Sequence, residues 1–252
     1  MLQSNPRGHY HFLPGGYPYS SGVIADPGYE IIHVTFTRPC PWRDGFEFVD
    51  DHLSKAGVDR QALCGVELRS PQPFTRAGFI EFNQAYRQVL EEWDVLVNGE
   101  NPVARTNVVP AWSTPSEEVM FGFSYTRSAP LLDRRTFVVA GGGELRGGEL
   151  LEAPVIRPGD TSPDGLREKA QYVMKAMTRR LEGLGVSWSA ATVTEIYTVH
   201  PLDSFVEDVI LDQIGPAALH SLRWYHARPP IDELAYEMDV RGVRTELYLD
   251  AQ

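Results

Sequence analysis

One segment of this chain recurs at a fixed distance, and the recurrence limits the folds open to it. Ala56 to Phe74, AGVDRQALCGVELRSPQPF, aligns without gaps on Leu184 to Leu202, LGVSWSAATVTEIYTVHPL, at an offset of 128 residues. Identities fall at Gly57/Gly185, Val58/Val186, Ala62/Ala190, Glu67/Glu195 and Pro73/Pro201. An offset of about half the 252-residue length points to two similar units rather than to an array of short repeats.

The flanks of the two copies agree. Before the first, Phe46, Val49, Leu53 and Ala56 recur at helical spacing and stop at Gly57; before the second, Ala170, Val173, Met174, Met177, Leu181 and Leu184 do so and stop at Gly185. Each helix therefore ends in a residue that takes the left-handed cap conformation at little cost. A second apolar-faced helical segment follows each copy, carried by Phe79, Phe82, Tyr86, Val89, Leu90 and Trp93 and then by Phe205, Val209, Ile210 and Ile214. GYEIIHVTF and RRTFVVAGG read as opening strands; RTNVVPAW with EEVMFGFSY, and LAYEMDV with VRTELYL, read as closing strands, the last two joined by a tight turn at Arg241-Gly242. The fold expected is α/β (α+β): two domains, 1–125 and 126–252, each a mixed sheet with two helices on one face.

Composition excludes several classes of function. A hydrophobic content of 42% supports a packed core, and no apolar run approaches the roughly 18 residues needed to cross a bilayer, so no membrane is expected. The N-terminus lacks the basic start and apolar stretch of a secretory signal, and Cys40 and Cys64 are the two cysteines, which together suggest a cytoplasmic protein. Thirty-four acidic against 23 basic residues give a net charge of −11, which disfavours nucleic acid as a partner. A small anionic ligand would need particular arginines to hold it.

Several of these segments resemble the RidA/YjgF reactive-intermediate deaminase family, whose members have chorismate-mutase-like domains. PYSSGVIADPGYEIIHVTF is similar to that family's opening strand segment, PVAR (Pro102 to Arg105) to its arginine signature, and YTVHPLDSFVEDV to the stretch before its second helix. FVVAGGGEL resembles the strand that ends in the family's Ser-Gly-Gln turn, and YHARPP (Tyr225 to Pro230) resembles the arginine signature again. The departures are specific: the first half has no carboxylate among Val119 to Phe123 where the family carries one, and Arg127 stands where the second half should have a tyrosine. The chain thus resembles a tandem, diverged pair, each half keeping part of a site.

The resemblance implies a homotrimer with a composite site and a cofactor-independent hydrolysis. A guanidinium would grip the substrate carboxylate bidentately, while a carboxyl group of raised pKa moves protons. Carried over, the catalytic candidates are Arg105, Tyr19 and Glu246, and the substrate-binding candidates are Arg228, Gly141 and Gly142. The residues themselves leave alternatives open. Arg105 could pair with an internal carboxylate, Tyr19 could cap a turn, Arg228 could fix a proline-rich loop, and Glu246 could lie on the solvent face of an alternating strand. That alternation also places Glu67 and Glu195 at the surface. His9 and His11 have no further ligands nearby, so no metal is expected, and GGGELRGG lacks both the Gly-Lys-Ser/Thr ending and the adjacent helix of a phosphate loop. The function expected is hydrolytic deamination of an enamine or imine carboxylic acid, aminoacrylate-like or aminomuconate-like, with release of ammonia. A chorismatase-like hydrolase or lyase and a non-catalytic small-acid binding module are the alternatives.

Overall fold

The computed structural model describes residues 1–16, 18–131, 133–147 and 150–250. The chain runs β1 (Gln3–Asn5), β2 (Tyr10–Pro14), β3 (Ser20–Ala25), β4 (Tyr29–Pro41), α1 (Trp42–Lys55), β5 (Leu63–Arg69), α2 (Arg76–Glu92), β6 (Ala104–Pro110), β7 (Val119–Ser128), β8 (Phe137–Gly143), α3 (Pro163–Gly183) and β9 (Val193–Tyr197). A π-helical stretch Val206–Leu211 leads into α4 (Asp212–Ile214), followed by β10 (Arg223–Tyr225), β11 (Ala227–Arg228), β12 (Glu237–Gly242) and β13 (Thr245–Leu249).

Two runs of four strands share one pairing pattern. β6 pairs parallel with β5, β5 antiparallel with β7, and β7 antiparallel with β4. β10, β9, β12 and β8 pair in the same senses and order. The strands nevertheless form one continuous sheet in the order β10-β9-β12-β8-β3-β6-β5-β7-β4-β13. Each end of the chain is added to the other half's strands, β3 beside β8 and β13 beside β4. The expected boundary at Tyr125 falls inside β7, where Tyr125 is still paired with Ile32 and Thr126 with Ile31. The hairpin expected at Arg241-Gly242 does not form, because β13 runs on to pair in parallel with β4 from Ile32 to Phe36.

The helix ends follow the expected physics closely. Gly57 and Gly185 have φ of +71° and +75°, and the amides of Val58 and Val186 reach back to the carbonyls of Leu53 and Leu181 at 3.0 Å in both copies. Thr75 and Ser162 cap α2 and α3 through side-chain oxygens that accept from Gly78 and Gly165 amides at 3.1 Å. The helix expected around Phe205 to Ile214 is instead broken into π, α and 3₁₀ turns that end at His220. Gly215 has φ of +54°, and the proline that follows it has no amide to continue the ladder.

The helices cover one face of the sheet and the remainder is closed on itself. α1 and α2 pack on Ile32, Val34, Val66, Leu68 and Phe123; α3 and the broken helical segment pack on Val139, Ile196, Met238 and Val240. The residues that alternate with these point the other way: Ile31, Val138 and Ala140 join an apolar cluster with Tyr10, Phe12 and Val23, whereas Glu67, Glu195, Asp239 and Arg241 are ionic and all buried. Glu67 and Glu195 are therefore interior residues, not the surface positions that alternation suggested, because the second face of the sheet curls inward rather than meeting water. Arg241 bonds Glu67 at 2.5 Å and Glu195 at 2.9 and 3.1 Å. The end strands are drawn together by Arg223 on β10, whose guanidinium forks onto Glu246 on β13 at 2.9 and 3.1 Å.

Removal of Arg241 would strand two buried carboxylates. Arg241→Met is expected to lower stability by about 3–5 kcal/mol, read as a fall in the urea unfolding midpoint. Arg223→Ala, at the half-exposed seam, should cost about 1 kcal/mol or less; equal losses would contradict this account of the closure.

Candidate active site

The cavity arises where the sheet splits. β3 begins at Ser20, opposite Ala104 of β6, and its ladder to β8 runs through Gly22↔Val139 to Ile24↔Phe137. Beyond Ser20, among the described residues, no strand pairs between residues 105–107 of β6 and 141–143 of β8. A cavity of about 750 Å³ sits there, with Tyr19, Asn83, Arg105, Asn107, Gly141 and Glu237 in its lining. The segment before β3 is held in place by Asn101, whose amide nitrogen donates to the Pro18 carbonyl at 2.7 Å and whose oxygen accepts from the Val103 amide at 2.9 Å. The Ser20 amide donates to the Val103 carbonyl at 3.0 Å. The Asn-Pro-Val-Ala-Arg run thus places Tyr19 beside Arg105.

Arg105 is 2% exposed, and none of the described carboxylates lies within ion-pair distance of it. Its guanidinium is surrounded by rings, with its carbon 4.6 Å from the Tyr86 centroid, 5.0 Å from Tyr19, 5.4 Å from Phe79 and 5.7 Å from Phe82. Phe79, Asn83 and Tyr86 come from one face of α2, at helical spacing. Asn83 Oδ1 accepts from Arg105 Nη2, while Nη1 is buried without a partner. Burial lowers the Arg105 pKa, opposed by Tyr86, Tyr19 and Glu237, yet a guanidinium stays charged. Two residues along β6, Asn107 lines the same cavity with a buried, unpartnered Nδ2. Two buried donors thus lack acceptors in one cavity, an expensive state in a folded chain unless a ligand supplies them.

Glu237 opens β12 opposite Gly143 and is 4% exposed. Burial raises its pKa well above the usual carboxylate value, and Asp239 and Glu144 add to the rise while Arg180 and Arg105 oppose it. This side chain is the neutral acid at pH values where an exposed glutamate is ionised. Its approach is fixed by Glu144, which accepts the amides of Ala235 and Tyr236 at 2.7 and 3.1 Å and the Lys169 ammonium at 3.1 Å. Gly141 leaves the room: a Cβ there would stand 2.3 Å from Glu237 Oε1 and 3.2 Å from Thr106 Cα. Gly142 makes room on its side for Arg180, which donates to the Ala140 carbonyl at 2.7 Å.

Of the residues expected from sequence, Arg105, Tyr19, Gly141 and Gly142 meet in this cavity. Glu246 and Arg228 are not brought to it. Glu246 belongs to the seam with Arg223, and Arg228 is exposed on β11, paired opposite Val109. The strand that stands to β9 as β6 stands to β5 is β10, not β11, and there Arg223 lies opposite Glu195 as Thr106 lies opposite Glu67, so Arg223 repeats the register of Thr106 and not that of Arg105. The same comparison corrects the choice of Glu246: β12, not β13, is the counterpart of β7, and it carries Glu237 and Asp239. A signal for Glu237 existed in EMDVR, where three ionisable residues alternate with Met238 and Val240. Asn83 and Asn107 left no such mark.

Glu67, Glu195 and Asp239 bring carboxylate oxygens within 4.8 Å of one another, a donor set that suits a hard cation. Arg241 already stands among them at 2.5 to 3.9 Å and supplies the positive charge. Glu195 is held down to about 2 although burial opposes it, chiefly by Arg241 and Tyr197. Burial and Glu195 push Asp239 up.

The chain belongs to the family described as 2-aminomuconate deaminase CnbZ, whose model matches residues 2–247. It is 41% identical over 244 residues to the 2-amino-5-chloromuconate deaminase of Comamonas testosteroni, covering 96% of each chain. Among solved structures, a chorismatase matches over 96% of this chain and 79% of its own at 10% identity and a TM-score of 0.44. The YjgF gene product of E. coli matches over 43% of this chain and 80% of its own, at 14% identity and a TM-score of 0.27. None of the helices among the described residues is long and apolar enough to cross a membrane.

The raised pKa of Glu237 has a consequence for stability. Its folded form holds a proton to higher pH than the unfolded chain does, so the associated stabilisation is complete below the unfolded pKa and is lost as pH rises through the folded one. Glutamine cannot ionise. The melting temperature of Glu237→Gln should therefore gain on that of wild type as pH rises above the ordinary glutamate pKa of about 4.3; parallel curves would contradict a buried Glu237 of raised pKa.

Proposed function

We propose that the protein deaminates an unsaturated 2-amino acid of the aminomuconate class by adding water, without a cofactor, in the cavity between β6 and β8. The observation that carries this reading is the buried Arg105, without a carboxylate partner among the described residues and with a free Nη1 donor, in one cavity with Glu237, whose pKa burial raises. The name of the Comamonas relative supplies the substrate class. A distant relation to RidA-type deaminases belongs to the same reading and rests on the PVAR segment and on Tyr19.

In this mechanism the substrate carboxylate takes Arg105 Nη1 and Asn107 Nδ2, with Asn83 fixing the guanidinium. Glu237 gives its proton to the enamine carbon, which leaves an iminium at C2 and a carboxylate on Glu237. That carboxylate accepts a proton from the water that attacks C2, forming a carbinolamine. Transfer of a proton to nitrogen and collapse of the carbinolamine release ammonia and leave the 2-oxo acid. The balance is one enamine and one water in, one oxo acid and one ammonia out. Tyr19, whose pKa is raised by burial, remains a neutral hydroxyl that stacks on Arg105 and closes the carboxylate end.

Ammonia release from freshly generated 2-aminomuconate tests the reading. Glu237→Gln should lower kcat by about 10²- to 10⁴-fold, the usual worth of a general acid. Arg105→Lys should lower kcat/KM by at least about tenfold, because an ammonium cannot offer the planar fork. Activity should fall on the alkaline side as Glu237 ionises, and that limb should vanish in Glu237→Gln. A wild-type protein inert toward 2-aminomuconate, or a Glu237→Gln variant of full activity, would overturn it.

A further inference from the structure

We infer that Arg146 is a specificity residue that binds the far carboxylate of a dicarboxylic substrate. The inference rests on the reading above, that the near carboxylate lies on Arg105.

The lining of the cavity combines a buried cation, an exposed cation and a set of apolar side chains. Arg105 is its buried cation; Arg146 also lines it but is exposed, so it stands where the cavity opens. The lining also includes Phe79, Leu145, Leu150, Ile231 and Leu234, all five of which pack with Val155 and Phe74 into one apolar cluster. A buried and an exposed cation in one largely apolar cavity are complementary to two carboxylates joined by a short hydrocarbon chain. A monocarboxylate would leave the outer cation unused.

The lip that carries Arg146 is tied down. The Arg146 amide donates to the Pro154 carbonyl at 2.9 Å, and the Ile156 amide donates to the Glu144 carbonyl at 2.9 Å. Leu145 and Val155 form an antiparallel bridge. From the first turn of α2, Arg76 donates through Nη1 to the carbonyls of Leu150 and Ala153 at 2.9 and 2.8 Å, and it pairs with Glu233 at 2.6 Å. The lip is thereby fastened both to α2, which supplies Asn83, and to the approach to β12, which supplies Glu237. Among the described residues no carboxylate lies within ion-pair distance of the Arg146 side chain. An exposed arginine with no carboxylate partner among the described residues, at the mouth of the cavity in a protein of net charge −11, is a local attraction for a dianion in a chain that otherwise repels one.

The test separates binding at the two ends. Calorimetric titration compares cis,cis-muconate with 2,4-hexadienoate, a monoacid of the same chain length, on wild type and on Arg146→Met, which keeps the apolar stem and removes the charge. Wild type should prefer the diacid, and Arg146→Met should lose about 10- to 100-fold in diacid affinity, the worth of a charge-assisted contact. Its affinity for the monoacid should stay unchanged. With 2-aminomuconate, KM should rise by a similar factor while kcat stays within about threefold, and Arg146→Lys should recover part of the loss. Equal losses for both acids, or no loss for the diacid, would overturn the assignment of Arg146. Failure of the reading beneath it is distinguishable, because then Arg105→Lys would leave the binding of both acids unaltered.

Discussion

Arg241 is the residue on which the closure of the fold turns. It leaves β12 on the face opposite the helices and contacts Glu67 from one half of the chain and Glu195 from the other, the two glutamates that stand at equivalent places in the repeat. Each carboxylate alone would carry a large desolvation cost inside a protein, and a shared guanidinium offsets both. Without that bridge the inner faces of the two strand groups would repel. With it, the sheet curls until β10 and β13 meet across the Arg223–Glu246 fork. The helices then need cover only one side.

The curl also creates the cavity. Because β3 stops at Ser20, β6 and β8 touch where Thr106 meets Gly141 and part beyond it. The gap inherits one donor-bearing edge, Arg105 and Asn107, and one edge of glycines that lets Glu237 lie close to the backbone. The two ionisable groups are shifted by the same cause. Burial lowers the pKa of Arg105 and raises that of Glu237, which leaves a permanent cation beside a neutral acid. That pairing suits an anionic substrate that must be protonated on carbon.

Much of this was legible in the residues, for identifiable reasons. Helix ends were, because a glycine in the left-handed region is a local requirement of the cap and leaves its mark in sequence. Arg105 and Tyr19 were, through the segments around them, and Gly141 and Gly142 through the strand they end. The inward face was not: alternation tells which residues share a side of a strand, but a second polar face reads the same whether it meets solvent or another polar face. Glu67 and Glu195 were misplaced for that reason. Glu237 was overlooked because β13 reads as the partner of β12, when its ladder is formed with β4, more than 200 residues away in sequence. Nothing in a local pattern announces that exchange. Asn83 sits among apolar helix positions, and only the approach of α2 to β6 gives it a task.

The central claim is that the unpaired Arg105 guanidinium waits for a substrate carboxylate. A crystal structure of the protein soaked with cis,cis-muconate, which has the diacid skeleton but no amino group to react, tests this most directly. The account predicts one carboxylate on Arg105 Nη1, within hydrogen-bond reach of Asn107, with the adjacent carbon facing the Glu237 carboxyl group. Muconate bound at Arg228 or at the Arg223–Glu246 seam, with Arg105 left to Asn83 and its ring of aromatics, would contradict it.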